Sequence, residues 1–206
     1  MEDPKHIEPL KEVTTIAAGN AATALSKLIG QDITVVVPSV KLVNVEKVSQ
    51  EVGVAHVSAA ALVKIQGDVQ GILLFTLDPL DADGVSDSVI SHQVPHGNYV
   101  DQDQSVLKEM VNIVAGAALN AMAKFLDLKL RPSVPDSTTD MLGAMLDPFM
   151  AEFGTQFEQV LILQEVFTLP KDAQSLKMLA VIDPPSTAKL LEQLTIKLHT
   201  GHATDN

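Results

Sequence analysis

The chain has no cysteine and no tryptophan, and only one tyrosine and six phenylalanines among its 206 residues. Without thiols there can be no disulfide framework and no thiolate metal site, and a reducing, cytoplasmic compartment is the expectation. Aromatics make up 3% of the chain against 46% apolar residues, so the core has to be assembled from Ala, Val, Leu, Ile and Met. Basic residues are scarce as well: 14 face 26 acidic ones, for a formal charge of −12, and they form no cluster. Nucleic-acid binding draws on Lys and Arg against phosphates, and an anionic membrane would repel this surface, so neither is an expected partner. No uninterrupted apolar run approaches the roughly 18 residues of a membrane span. The opening "MEDPKHIEP" lacks the basic-then-apolar layout of a secretory signal.

Familiar catalytic motifs are absent too. There is no G-x-S-x-G, no H-E-x-x-H and no glycine-rich phosphate loop. His92 and His96 have i, i+4 spacing, but Pro95 lies between them. His199 and His202 sit in the tail "LHTGHATDN", expected to be frayed, so no metal site is expected.

What is present is internal repetition. At an offset of 97, Lys11-Glu12-Val13 falls on Lys108-Glu109-Met110, Ile16 on Ile113, Ala18-Gly19 on Ala115-Gly116, Lys27 on Lys124 and Pro38 on Pro135. "LLFTLDP" at 73–79 is echoed by "MLAVIDP" at 178–184. Two long halves argue for a duplicated unit and not a solenoid, which needs at least three short repeats. The expected organisation is one domain over 1–206, made of two repeats covering about 5–98 and 102–200.

Each half opens with a long apolar helix, predicted over roughly 9–29 and 105–126, the first ended by Gly30. "DITVVVPSVKLVNV" has the β-branched content and alternation of a strand. "SAAALVKIQGDVQGILLFTLDP" and "QFEQVLILQEVFTLPKDAQSLKMLAVIDP" each predict a hairpin. Helical periodicity covers 140–154, where Pro148 must kink the helix or lie in its first turn. A short closing helix is expected over 186–194 with Ser186 as its cap. The polar stretch 81–104 reads as the link between halves. The fold class is α+β: a mainly antiparallel sheet packed with two long helices.

The second long helix divides sharply by angle. At about 100° per residue from Ser105, Glu109, Asn112 and Gly116 fall within about 40° of zero. Leu107, Met110, Val114, Ala118, Ala121 and Phe125 fall between about 140° and 220°. The apolar stripe demands a core, so the narrow polar strip opposite it must face solvent or a partner. A solvated face would be the ordinary explanation. Against it, Asn112 is a poor mid-helix residue, and Gly116 costs roughly 0.8–1 kcal/mol relative to Ala. The first helix repeats the division, with Glu8, Glu12, Thr15 and Gly19 outward and Leu10, Val13, Ala17, Ala24 and Leu28 inward.

The stretch "SVLKEMVNIVAGAALNAMAKFLDLKLRPSVP" resembles the active-site signature of the CheC/CheX/FliY family, phosphatases of chemotaxis response regulators. That signature is Asp or Ser, three residues, Glu, two residues, Asn, 22 residues and Pro. Ser105, Glu109, Asn112 and Pro135 match it at every spacing. The duplicated layout is similar to the CheC branch. The resemblance implies hydrolysis of the aspartyl phosphate on a CheY-like receiver. Asn112 would orient the attacking water, Glu109 would dock by charge, Ser105 would support the contact and Pro135 would shape the surface. It implies no cofactor bound by this chain, Mg2+ on the partner receiver, and a CheD-type deamidase as a second candidate partner. The first half departs from the pattern: Glu12 and Pro38 match, but Glu8 and Thr15 stand at the Asp/Ser and Asn positions. One working site, in the second half, is therefore expected. Val111 and Val114 stand where the family often has glycine and are expected to alter the fit to the partner. The competing reading is a non-catalytic adaptor that docks a receiver or CheD.

Overall fold

A computed structural model describes residues 7–52, 57–77, 103–169 and 175–201. Its elements, in chain order, are α1 (Leu10–Ile29), β1 (Thr34–Asn44), α2 (Val45–Val52), β2 (Val57–Gly67) and β3 (Gly71–Leu77). After these come α3 (Asp103–Leu126), β4 (Leu130–Pro132), β5 (Asp136–Met141), α4 (Leu142–Gly154), β6 (Gln159–Thr168), β7 (Ser175–Ile182) and α5 (Pro184–Gly201). The sequence-predicted link over 81–104 lies almost wholly outside the described residues, as do His92, His96 and His202.

The seven strands form one antiparallel sheet in the order β1-β6-β7-β3-β2-β4, with β5 also paired to β2. Both predicted hairpins, β2–β3 and β6–β7, are present, and they meet along β3–β7 at the centre. Strand alternation sends residues to two cores, because successive side chains leave a strand on opposite faces. Ala61, Val63, Leu73, Phe75, Leu161, Leu163 and Met178 pack beneath α1, α3 and α5. Leu62, Ile72, Leu74, Val160, Ile162 and Leu179 pack beneath α2 and α4. The result is three layers, helices on both faces of the sheet.

The long helices end by different local chemistry. Gly30 takes the left-handed conformation (φ 67°) and its N–H donates to Ser26 O at 2.9 Å, as expected. At the end of α3 the left-handed position is held by Asp127 (φ 54°), and the Leu128 N–H reaches back to Ala123 O at 2.9 Å. Residue 127 thus takes a glycine's role without being one, while buried Leu128 anchors the turn.

Three expectations need correction. Residues Val45–Val52 form a helix, where the sequence pattern had carried the strand through "VNV". Buried Val45 and Val48 lie on one helical face, but their β-branching mimics a strand. The closing helix starts at Pro184 and runs to Gly201, so His199 is helical and not frayed. Its cap is Asp183, whose Oδ1 accepts from the Ser186 N–H at 2.7 Å, with Pro184 at the first helical position. Ser186 Oγ instead accepts from the Gln70 N–H at 2.8 Å, tying α5 to the first hairpin. Pro148 lies inside α4, which leaves the interior position of the two that the sequence allowed it. Among the described residues one helix, Val106–Leu126, is long and apolar enough to cross a membrane by length and composition. Here its apolar stripe is buried against the sheet and α1.

A buried carboxylate escaped the sequence reading. Glu165 on β6 is 2% exposed, and Oε2 has no hydrogen-bond partner among the described residues. It pairs with Met178 across the second hairpin, where the first hairpin pairs Val63 with Leu73. Burial pushes its pKa up to about 8 from the ordinary 4.5. Between those values the unfolded chain is ionised while the folded chain still holds the proton. Stability is therefore full below about 4.5 and falls as pH rises toward about 8. Glu165→Gln should be nearly neutral at pH 5 and should stabilise by on the order of a few kcal/mol at pH 8, read from thermal melts at both values.

The tip of the first hairpin holds the start of β4. Gly67 (φ 114°) pairs with Leu130, and a Cβ there would collide with the Lys129 carbonyl. Next to it, the Asp68 N–H donates to Lys129 O at 2.8 Å, and Asp68 Oδ2 accepts from the Lys129 N–H at 2.8 Å. Asp68 also pairs with Lys189 of α5 at 2.7 Å, and this bond leads the Lys129 N–H in lowering the Asp68 pKa. Gly67→Ala is expected to cost at least about 1–3 kcal/mol, seen as a lower urea midpoint at unchanged slope.

Candidate functional site

The stripe on α3 points where the angles place it. Leu107, Met110, Val114 and Ala118 are buried, Ala121 and Phe125 half-buried, and Glu109 and Asn112 exposed. Gly116 lies on the same strip with no other atom within 4 Å of where a Cβ would stand, so the surface beyond Asn112 is open and flat. Val111 and Val114 are fully buried. They belong to the core, so the expectation that they tune the fit to a partner is overturned.

The wall opposite the strip is the segment between β4 and β5. Ile65 pairs with Pro132 and Leu62 with Asp136, so two residues of β2 face three on the other strand, a bulge. Ser133 pins it. Its N–H donates to Lys64 O at 2.9 Å, while its Oγ accepts from the Lys64 N–H at 2.9 Å and donates to Val134 O at 3.1 Å. Pro135 is buried and Val134 stands 88% exposed.

Strip and wall enclose one open cleft of about 390 Å³, lined by Lys108, Glu109, Asn112, Pro132, Ser133, Val134 and Pro135. Three of the four sequence-selected residues thus meet in space, although 22 residues lie between Asn112 and Pro135 in the chain. Ser105 lies one turn before Glu109 in the same helix. The Asn112 amide has no hydrogen-bond partner among the described residues, so its N–H donors and carbonyl acceptor remain available to a ligand. Lys108, Ser133 and Val134 were not singled out from the sequence. The only sequence signal for the last two was their place between two prolines.

The corresponding face of α1 is differently occupied. Glu8, Glu12 and Thr15 are exposed, but Glu8 precedes the helix and pairs with Lys11 at 2.6 Å. The Thr15 hydroxyl donates to Lys11 O at 2.8 Å, so its single proton is committed to its own helix. Pro38 lies in β1 at the register irregularity opposite β6. Among the described residues no group of three or more His, Asp or Glu could hold a metal ion.

A CheC-like family model matches residues 103–138, the segment that carries the strip, the bulge and Pro135. The chain is 28% identical over 200 residues to the CheY-P phosphatase CheC of Bacillus subtilis (strain 168), covering 94% of this chain and 96% of that protein. Its fold is similar to FliY of Thermotoga maritima (TM-score 0.71, 21% identity), with 96% of this chain and 99% of that chain covered. It is also similar to a crystallised CheX–CheY–BeF3–Mg2+ complex from Borrelia burgdorferi (TM-score 0.56, 16% identity, 84% and 96% covered). Across the α3 strip and the bulge, and over nearly its whole length, this chain is similar to CheC-like chemotaxis proteins.

Proposed function

We propose that the chain hydrolyses the aspartyl phosphate of a CheY-like response regulator at one site, on α3. The observation that carries this reading is the convergence of Glu109, Asn112 and Pro135 on one open cleft. The Bacillus subtilis relative, by its name, acts on CheY-P.

Hydrolysis of an acyl phosphate needs water in line with the bond that breaks. Water attacks phosphorus, the P–O bond to the aspartate opens, and the carboxylate leaves as inorganic phosphate forms. A Mg2+ ion on the receiver would neutralise the phosphoryl oxygens, and no cofactor is assigned to this chain. Asn112 supplies the orienting group: its amide can donate one hydrogen bond and accept another, fixing a water's direction. Glu109 lies one turn away, its carboxylate placed to engage a cationic side chain of the receiver. Ser105 extends the contact by a further turn, and Pro135 gives the cleft a rigid wall. Thr15, back-bonded to its helix, cannot do the work of the amide, so the face of α1 with Glu8, Glu12 and Pro38 is a degenerate counterpart. This reading treats the chain as one cytoplasmic domain of two repeats. Its support is that each half runs helix, extended segment (β1 in the first, β4 and β5 in the second), helix and hairpin, with the extended segment of each pairing the other's hairpin.

The test is phosphate release from a receiver phosphorylated by a small-molecule donor. Asn112→Ala should lower the rate on the order of 10²-fold, the scale for losing one preorganised polar group, whereas Thr15→Ala should change it less than about twofold. A wild-type chain that binds the receiver without shortening its phosphate lifetime would replace this reading with that of an adaptor for a receiver or a CheD-type protein.

A further inference from the structure

Val134 is a large apolar side chain held 88% exposed on a segment with little freedom to move. Pro132 and Pro135 fix the backbone on either side, and Ser133 binds it to Lys64 through two hydrogen bonds at 2.9 Å. A rigid apolar knob loses little conformational entropy on being covered, the property of an interface anchor. Beyond it lies a second open cleft of about 420 Å³, with Leu62, Met145, Pro148 and Phe149 among its lining. Lys64 lies over the Phe149 ring at 5.2 Å and joins Asp136 at its polar margin. Ser133 and Val134 line both clefts, so the two are continuous across this ridge.

Size links the ridge to the partner. A stable protein interface covers about 800 Å² on each side, a disc roughly 16 Å in radius. The Glu109/Asn112 cleft, about 390 Å³, is far too small to be the whole contact with a folded receiver. A domain whose phosphoryl group reaches Asn112 must also cover Val134, which lines the same cleft.

We propose that Val134 and the cleft lined by Met145 and Phe149 form the docking anchor for the phosphorylated receiver, taking an apolar side chain from beside its phosphorylation site. This rests on the phosphatase reading for the identity of the partner. The anchor contributes to affinity, while Asn112 contributes to the chemical step.

Val134→Ser, Val134→Glu and Met145→Gln test it, with Leu198→Ser as a control that removes an exposed apolar group from α5. Thermal melts establish that each variant folds. Affinity is measured for a CheY-like receiver from the same organism, loaded with BeF3 and Mg2+, and turnover for the same receiver phosphorylated by acetyl phosphate. Val134→Ser and Met145→Gln should each raise Kd and KM by about 5–20-fold, the range of an interface anchor, with kcat within about twofold of wild type. Val134→Glu should do so more strongly and Leu198→Ser not at all. Unchanged Kd and KM in the folded Val134 variants would overturn the inference while leaving the phosphatase reading intact. A receiver that binds but is not hydrolysed, with binding still weakened by Val134→Ser, would sink the phosphatase reading and support the anchor. Loss of self-association in sedimentation, with receiver affinity unaltered, would assign the ridge to a second copy of the chain and overturn the anchor.

Discussion

Burial of one stripe of α3 is the constraint on which the rest depends. Met110, Val111, Val114, Ala115, Ala118 and Leu119 are each 1% exposed or less. Fully burying a Val, Leu or Met side chain is worth about 1.5–3 kcal/mol, so rotating the helix by even one residue would forfeit several times that. The helix has one permitted orientation, and Glu109 and Asn112 are turned outward as a consequence. Alanines along α1 and α3 let the two helices lie close together over the sheet, which is how a core without tryptophan is filled.

A strip on a helix is not yet a site. The wall facing Asn112 comes from the bulge between β4 and β5, and that bulge depends on contacts from other parts of the chain. Ser133 hydrogen-bonds to β2, Pro132 pairs with Ile65, and the Asp68 contacts to Lys129 and Lys189 hold the preceding turn. Helix and wall are thus built on the same hairpin, so the cleft keeps its shape as long as β2 holds both.

The two long helices show how one layout can carry different chemistry. The Asn112 amide has no partner among the described residues, whereas the Thr15 hydroxyl is taken up by Lys11 O. The hairpins differ in the same way: Val63 contributes to the core where Glu165 imposes a buried acid, one oxygen of which has no partner among the described residues. Such a group lowers stability at neutral pH and above. The structure assigns it no ligand.

The sequence by itself determined the helical stripes, the polar strip opposite them, the hairpins and the Gly30 stop. All of these are short-range consequences of the 3.6 and 2.0 residue periods and of backbone preferences. It also held the spacing by which the family signature could be matched, but a spacing carries no direction in space. Only the tertiary structure decided that Pro135 would face Asn112 and that Ser133 and Val134 would complete the cleft. It likewise decided that Asp183, not Ser186, would cap α5, and that Glu165 would be enclosed. Each of these depends on which distant strand or helix lies alongside. That is set by burying the apolar faces of the whole chain together, and no local window of residues contains it.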